Sequence, residues 1–235
     1  MGEERIIPGR AGESFMGYLA SPKDAVQNAA PGIVLIQEIF GVNQVMRDLA
    51  DNLAKQGFVV LCPDLFWRMK PNVNLTDKTE EDWKQAFDYF GRFDVDAGVR
   101  DIQASIHTLR GHSYCSGHVG TLGYCLGGKL AYLAACRTKT DCSVGYYAVG
   151  LDEILDEAQA IKNPLMLHVA ALDQFVPPPA QDKIIGALSS HDKVTLHHYE
   201  GVDHAFARVG GDHYDAAQAK IADQRTIDFL KENLG

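Results

Sequence analysis

The sequence predicts one α/β domain over residues 1–235, with a mostly parallel β-sheet and helices on both of its faces. Three observations favour this class. Short apolar runs alternate with segments of helical periodicity along the chain. The runs are apolar throughout, which is typical of parallel strands covered on both faces. No repeat, low-complexity linker or break in composition divides the chain.

The first elements illustrate the pattern. An apolar run over 33–36 predicts a buried strand, and apolar residues on one face predict a helix over 45–54. The run 58–62 predicts a second strand, and the polar, proline-containing stretch 67–78 predicts a loop. Strands that alternate with helices in this way predict βαβ units and a parallel sheet.

The alternation continues to the end of the chain. Thr79 is a typical N-cap for a helix that ends near Phe90. The acidic residues at 80–82 would stabilise this helix, because they lie near the positive end of its dipole. Helical spacing of apolar residues predicts the next helix over 95–109. The later elements are predicted, in order, as strand 118–123, helix 126–137, strand 144–148, a short acidic helix 153–160, strand 165–169, helix 180–188, strand 194–199 and helix 215–234.

Composition and charge narrow the classes of function. The chain has 22 Lys and Arg against 31 Asp and Glu, a net charge of -9, which disfavours binding to nucleic acid or to anionic membranes. No apolar run reaches the roughly 18 residues of a membrane span, and the N-terminus lacks the apolar core of a signal peptide. Five cysteines without a close pair predict free thiols. We therefore expect a cytoplasmic protein.

The strongest chemical signal is a glycine-rich turn between a predicted strand and a predicted helix. The sequence Gly-Tyr-Cys-Leu-Gly-Gly over 123–128 has the form of a nucleophile elbow, with Cys125 in the position usually held by serine. A thiol at the start of a helix has a lowered pKa, which favours the reactive thiolate. A buried cysteine in a glycine-rich turn would be the alternative if this motif stood alone.

Two further residues follow predicted strands in the order typical of α/β-hydrolases. Asp173 follows strand 165–169, and His204 follows strand 194–199. Ligands bind at the carboxyl ends of parallel strands, so the three side chains are expected to meet there. His204 would transfer the proton, and Asp173 would orient it and stabilise the imidazolium.

Other candidates are weaker. Asp203 competes with Asp173 for the acid role, but adjacent side chains usually point apart. Cys62 also ends a strand, yet it lacks a histidine nearby and is expected to be a packing thiol. No metal-ligand constellation and no nucleotide-binding pattern appears, so neither metal nor cofactor is expected.

Four motifs together resemble one family, the dienelactone hydrolases or carboxymethylenebutenolidases. They are QEIFG at 37–41, CPDL at 62–65, GYCLGG at 123–128 and HAFAR at 204–208, and the likeness runs from about residue 31 to 234. The resemblance implies an α/β-hydrolase fold. It also implies hydrolysis of the enol-lactone 4-carboxymethylenebut-2-en-4-olide to maleylacetate in catechol degradation, by a monomer acting on a small molecule.

The resemblance also implies roles for site residues. Cys125 would be the nucleophile, with Asp173 and His204 as its partners, and the backbone N–H groups of Leu126 and Ile39 would form the oxyanion hole.

Two charged residues complete the implied site. Glu38 would be a fourth member of the machinery, and Arg208 would hold the substrate carboxylate. A carboxylate near the thiol disfavours a second negative charge, so Glu38 would keep Cys125 protonated until an anionic substrate draws Arg208 away. The alternative for Glu38 and Arg208 is a buried ion pair that only stabilises the fold.

Some positions depart from the family pattern. Where chlorocatechol-pathway members carry a second arginine and a tyrosine, Trp83 and Phe87 stand here, and Ala205 replaces a serine. The carboxylate would then be bound by Arg208, with Lys84 as a partial substitute for the missing arginine.

Three functions are weighed. The first is a dienelactone hydrolase, and the second is a broader hydrolase of small esters and lactones whose apolar pocket contains Trp83 and Phe87. The third is a ligand-binding or redox-sensing protein that uses Cys125 without turnover. The complete acid, histidine and nucleophile set favours the enzymes.

Overall fold

Eight strands form a single sheet in the computed structural model, which describes residues 2–235. The strands are β1 (Glu3–Pro8), β2 (Ser14–Ala20), β3 (Ala30–Ile36), β4 (Val59–Pro63), β5 (Cys115–Tyr124), β6 (Ser143–Tyr146), β7 (Leu165–Ala170) and β8 (Val194–Tyr199). They lie in the order β1-β2-β4-β3-β5-β6-β7-β8. The six strands from β4 to β8 in this order are parallel, while β1 pairs with β2, and β2 with β4, in antiparallel fashion. The predicted, mostly parallel sheet is confirmed.

The two antiparallel strands at the sheet edge are absent from the sequence prediction. Most of β1 is exposed, and β2 alternates exposed or half-buried residues with buried ones. Edge strands that face solvent lack the continuous apolar runs that mark buried parallel strands. The search for such runs therefore misses them.

Residues 2–235 form six α-helices, of which five lie between strands and the last follows β8. They are α1 (Gln44–Lys55), α2 (Glu80–Arg92), α3 (Val95–Arg110), α4 (Leu126–Arg137), α5 (Pro178–Leu188) and α6 (Ala216–Leu234). Thr79 caps α2 as predicted, because its hydroxyl accepts a hydrogen bond from the Asp82 amide at 3.1 Å. Within residues 2–235, no helix is both long enough and apolar enough to cross a membrane.

The predicted acidic helix over 153–160 is wrong in type. Two short 3-10 helices, Leu151–Glu153 and Leu155–Ala160, occupy this part of the chain. Ile154 lies between them with φ of -132° and ψ of 19°, outside the helical region, so the turns do not join into one α-helix.

Successive residues of a strand pack into two separate hydrophobic cores, one on each face of the sheet. Along β3, Val34 and Ile36 pack on the face covered by α3, α4 and α5, whereas Ile33 and Leu35 pack on the face covered by α1 and α6. All four side chains are fully buried. Burial on both faces explains why these strands are apolar throughout. Because the strands are parallel, their carboxyl ends lie along one edge of the sheet.

Candidate active site

Cys125 occupies a strained turn between β5 and α4. Its φ of 56° and ψ of -116° are rare for a residue with a side chain, as expected for a nucleophile elbow. Its amide donates a hydrogen bond to the Tyr146 carbonyl oxygen at 3.1 Å, and its carbonyl accepts from the Gly128 amide at 3.0 Å. These bonds hold the turn while the half-buried thiol lines a cavity.

The neighbouring glycines are required by close backbone contacts. A Cβ atom at Gly123 would lie 2.0 Å from the Gly127 carbonyl oxygen, and one at Gly127 would lie 2.4 Å from the Ile36 carbonyl oxygen. Both distances are far below van der Waals contact, so any larger residue would force the backbone apart. The motif over 123–128 therefore has a steric origin in the approach of the elbow to β3.

His204 and Asp173 come together as predicted, through the loops that follow β8 and β7. The distance from His204 Nδ1 to Asp173 Oδ2 is 2.9 Å, and both side chains are buried. Asp173 Oδ1 accepts a second hydrogen bond from the Phe175 amide at 2.8 Å, which orients the carboxylate. The ring of His204 is packed between Tyr147 and Phe175, with centroids 4.9 and 4.8 Å away.

The electrostatics of His204 couple it to Cys125. Burial lowers the pKa of His204, but the negative charge of Cys125 and the hydrogen bonds to Asp173 and Cys125 outweigh burial and raise that pKa to about 10. His204 therefore interacts with both Cys125 and Asp173, as the middle member of this set of three side chains.

Asp203 has a different position from Asp173, although the two compete in the sequence. Asp203 Oδ1 accepts hydrogen bonds from the backbone amides of His204 at 2.6 Å and Gln174 at 2.9 Å. The Asp203 side chain therefore ties the His204 loop to the Asp173 loop, while the imidazole contacts Asp173.

The two backbone amides expected to form an oxyanion hole belong to Leu126 and Ile39. Leu126 is the first residue of α4, and Ile39 follows the end of β3 beside Glu38. Within residues 2–235, no backbone carbonyl accepts a hydrogen bond from either amide. Free N–H groups next to a nucleophile can stabilise a developing oxyanion.

Glu38 and Arg208 form a buried ion pair. The distance from Arg208 Nη1 to Glu38 Oε2 is 2.7 Å, and each side chain is 5% exposed. Burial raises the pKa of Glu38, and the positive charge of Arg208 only partly opposes this rise. The guanidinium carbon also lies 4.5 Å from the centre of the Phe40 ring, a cation–π contact.

A cavity of about 450 Å³ joins these groups. Trp83 and Phe87 form part of its wall, with their rings stacked at 5.5 Å, and the edge of Trp83 meets Phe40 at 4.9 Å. Lys84 is exposed and does not line this cavity, so it does not replace a second arginine there. The cavity is lined by Glu38, Ile39, Phe40, Asp77, Trp83, Phe87, Phe90, Cys125, Val149, Gln174, Phe175, His204, Ala205, Arg208, Gly211, Asp212 and His213.

The sequence does not predict several of the residues that line this cavity. Asp77 lies in the loop before α2, and His213 lies in the loop before α6. Both are polar residues in polar loops, where single side chains show no periodicity. The one available signal was proximity in sequence, because His213 follows the HAFAR motif closely.

The remaining cysteines lie elsewhere. Cys62 is fully buried, and burial raises its pKa, which agrees with the prediction of a packing thiol. Among residues 2–235, no group of three or more His, Cys, Asp or Glu side chains is arranged to hold a metal ion.

Two relatives are similar to this chain over almost its whole length. A carboxymethylenebutenolidase from Pseudomonas putida is 40% identical over 219 residues, 93% of this chain and 92% of the relative. Carboxymethylenebutenolidase 1 from Cupriavidus pinatubonensis is 37% identical over 224 residues, 95% of this chain and 94% of the relative.

Solved structures confirm the α/β-hydrolase fold. A Klebsiella pneumoniae protein provisionally named as a dienelactone hydrolase superposes with a TM-score of 0.85 over 98% of each chain, at 24% identity. An esterase from Pyrococcus furiosus superposes with a TM-score of 0.72 over all of this chain and 94% of the esterase, at 16% identity. The model of the dienelactone hydrolase family matches residues 15–234, and the chain belongs to that family.

Proposed function

We propose that this protein is a dienelactone hydrolase that opens 4-carboxymethylenebut-2-en-4-olide to maleylacetate with Cys125 as its nucleophile. The observation that carries the proposal is that Cys125 and His204 line one cavity, while Asp173 lies behind His204 with a hydrogen-bond distance of 2.9 Å between them. Relatives at 40% and 37% identity that carry the carboxymethylenebutenolidase name support the same substrate.

The first half of the reaction is acyl transfer to sulfur. The thiolate of Cys125 attacks the lactone carbonyl carbon, and the amides of Leu126 and Ile39 stabilise the oxyanion that forms. Collapse of this intermediate breaks the ring C–O bond and releases an enolate, which is a weakly basic leaving group. The enolate takes a proton from the imidazolium of His204 and tautomerises to a ketone, leaving a thioester on sulfur.

The second half is hydrolysis of the thioester. Neutral His204 takes a proton from water, whose oxygen attacks the thioester carbonyl carbon and then displaces the thiolate. Asp173 accepts a hydrogen bond from Nδ1 throughout, which keeps Nε2 free for proton transfer and stabilises the imidazolium.

Glu38 and Arg208 are proposed to make the reaction responsive to substrate. The substrate carboxylate would draw Arg208 away from Glu38, and the freed carboxylate would take the proton of the thiol. This proposal is supported by the location of both residues in the lining of the cavity that contains Cys125.

A second candidate is a broader hydrolase of small esters and lactones. The aromatic wall favours it, because Phe40, Trp83, Phe87 and Phe175 line the cavity that in this candidate would receive an uncharged acyl group. Both candidates use the same nucleophile, so they differ only in their need for a substrate carboxylate.

Steady-state kinetics test the proposal. kcat/KM is measured for cis- and trans-dienelactone by the loss of their ultraviolet absorbance, beside p-nitrophenyl acetate. We expect a strong preference for the dienelactones and loss of all three activities in Cys125→Ala. Activity on the neutral ester alone would contradict the dienelactone assignment, and a single acylation without turnover would indicate a thiol sensor.

We further propose that the enzyme is cytoplasmic and monomeric. The five free cysteines support this location, because free thiols suit a reducing compartment. Light scattering coupled to size-exclusion chromatography should give the mass of one chain. A dimeric mass would contradict the proposed monomer.

A further inference from the structure

Arg208 lies between two carboxylates rather than one. Besides Glu38 at Nη1, the Asp77 carboxylate lies 3.5 Å from Arg208 Nε. The Asp77 side chain is only 14% exposed, and Asp77 lines the cavity with Glu38 and Arg208. The single guanidinium thus has two acidic side chains as neighbours.

The loop that carries Asp77 is anchored on both sides. Trp83 Nε1 donates a hydrogen bond to the Asp77 carbonyl oxygen at 3.0 Å. Lys78 Nζ donates to the Gly210 carbonyl oxygen at 2.7 Å, which ties this loop to the segment that follows Arg208. Asp77 is therefore held beside the guanidinium by contacts that do not involve its carboxylate.

These contacts leave one guanidinium nitrogen of Arg208 without an acceptor. Nη2 is buried and has no hydrogen-bond partner among residues 2–235. A guanidinium binds a carboxylate through two adjacent donors, either Nη1 with Nη2 or Nε with Nη2. Glu38 occupies the first edge and Asp77 the second, so a substrate carboxylate gains two bonds only when one of them yields. The exchange proposed above moves Arg208 away from Glu38, so Asp77, 3.5 Å from Nε, is the acidic side chain that remains beside the bound substrate carboxylate.

No second guanidinium or ammonium group lines the cavity beside Arg208. Apart from Arg208, the lining of the cavity contains only the imidazoles of His204 and His213 as groups that can carry positive charge. Asp212 adds a third carboxylate to the lining, although it is largely exposed and lies 3.4 Å from Lys78 Nζ. Lys78 is also 3.6 Å from Asp77 Oδ1, but it is half-exposed, and solvent screens its charge.

We propose that Asp77 is a specificity-determining residue, which competes with the carboxylate of the substrate for Arg208 and so weakens binding of anionic lactones and esters relative to neutral ones. This inference rests on the proposed function, because it concerns the acyl group that the same cavity accepts. Asp77 acts through Arg208 and has no part in bond breaking.

The test compares two esters that differ only by a terminal carboxylate, 4-nitrophenyl butyrate and mono(4-nitrophenyl) glutarate. Asp77→Asn keeps the shape and one acceptor oxygen but removes the charge. We expect it to lower KM for the glutarate ester and for dienelactone about fivefold or more, because a repulsive charge leaves the binding position. kcat/KM for the butyrate ester should stay within about twofold of wild type.

A control variant tests the effect of net charge alone, and a second variant of Asp77 is available if the first does not fold. Asp88→Asn makes the same change in net charge on α2, outside the cavity, where Asp88 forms an exposed ion pair with Arg92. This control variant should leave KM and kcat/KM for both esters unchanged. Asp77→Ser removes the charge with a smaller polar group, and it replaces Asp77→Asn if the amide disturbs folding. Added salt should reduce the advantage of either Asp77 variant on the glutarate ester.

The outcomes separate this inference from the proposed function. An equal change on both esters, or a weaker binding of the glutarate ester, would show that Asp77 only positions the loop and would overturn the inference. If no dienelactone is opened but Asp77→Asn still shifts the preference between esters, the inference stands and the dienelactone assignment fails. If dienelactone is opened and the preference does not shift, the inference alone fails.

Discussion

Glu38 and Arg208 lie in the wall between two cavities. The pair lines the 450 Å³ cavity that contains Cys125, and it also lines a second cavity of about 320 Å³ beside α1. Both side chains are 95% buried, yet both can be reached from either side. A buried ion pair between two open volumes can separate without a large rearrangement of the core, as the proposed response to substrate requires.

The first prediction concerns the stability of this pair. Arg208→Gln should lower the free energy of unfolding by about 3 kcal/mol at neutral pH, because it leaves the Glu38 carboxylate buried without a partner. Arg92→Gln, which breaks an exposed pair with Asp88, should cost less than about 1 kcal/mol. Urea unfolding followed by circular dichroism measures both values. Equal losses in the two variants would contradict the prediction.

The same variant should show a particular pH dependence. Burial raises the pKa of Glu38, and removal of Arg208 removes the main opposing influence. An acid whose folded-state pKa is raised binds its proton more tightly in the folded state, so its contribution to stability is lost as pH rises. Arg208→Gln should therefore be less destabilised at pH 5 than at pH 8. A loss in the free energy of unfolding that is independent of pH would show that ionisation of Glu38 is not its cause.

The second prediction concerns the proposed role of Glu38 in proton transfer. Glu38→Gln removes a negative charge near Cys125, so alkylation of the thiol by iodoacetamide should become faster. Turnover of dienelactone should fall tenfold or more, since the proposed acceptor of the thiol proton is lost. Asp48→Asn, which removes a charge from the lining of the second cavity only, provides the control. Unchanged alkylation together with unchanged turnover would leave Glu38 with a structural role alone.

The third prediction separates the two neighbouring aspartates. Asp173→Asn should reduce kcat by about 10² to 10⁴, because an amide no longer holds His204 in the required tautomer. Asp203→Asn should have a smaller effect on kcat, since Asp203 contacts backbone amides rather than the imidazole. Steady-state kinetics on p-nitrophenyl acetate measure both. A larger loss in Asp203→Asn would reverse the assignment of the acid.

The fourth prediction concerns the charge of His204. With a pKa of about 10, His204 keeps its proton through neutral pH and loses it only as pH approaches 10. The imidazolium should therefore promote alkylation of Cys125 most strongly below pH 8. His204→Asn should slow alkylation tenfold or more at pH 6.5 and much less at pH 9.5, where an ordinary thiol ionises unaided. Mass spectrometry of the peptide that contains Cys125 follows the rate, and a difference independent of pH would contradict the account.

The parallel core of the fold was predictable because burial on both faces leaves a direct trace in the sequence. Each of the six strands from β3 to β8 coincides with a predicted apolar run. Strands β1 and β2 have mixed exposure at the sheet edge, so they lack that trace. The segment 151–160 was misread because composition alone does not reveal the non-helical backbone at Ile154.

The candidate site was predictable where it follows the strands and unpredictable where it depends on loops. Cys125, Asp173 and His204 each follow a parallel strand, and parallel strands bring such positions to one edge. Asp77 reaches Arg208 only because the loop before α2 folds over the cavity. No local pattern encodes that contact, so the competition for Arg208 emerges only from the folded chain.

The measurement that tests the central claim most directly is detection of an acyl group on Cys125 during turnover. Enzyme mixed with p-nitrophenyl acetate or dienelactone is quenched in acid within milliseconds and analysed by intact and peptide mass spectrometry. The account predicts one acyl group per chain, located on the peptide that contains Cys125, formed and lost at rates compatible with kcat and absent from Cys125→Ala. Full activity of Cys125→Ala, or an acyl group on another residue, would contradict it.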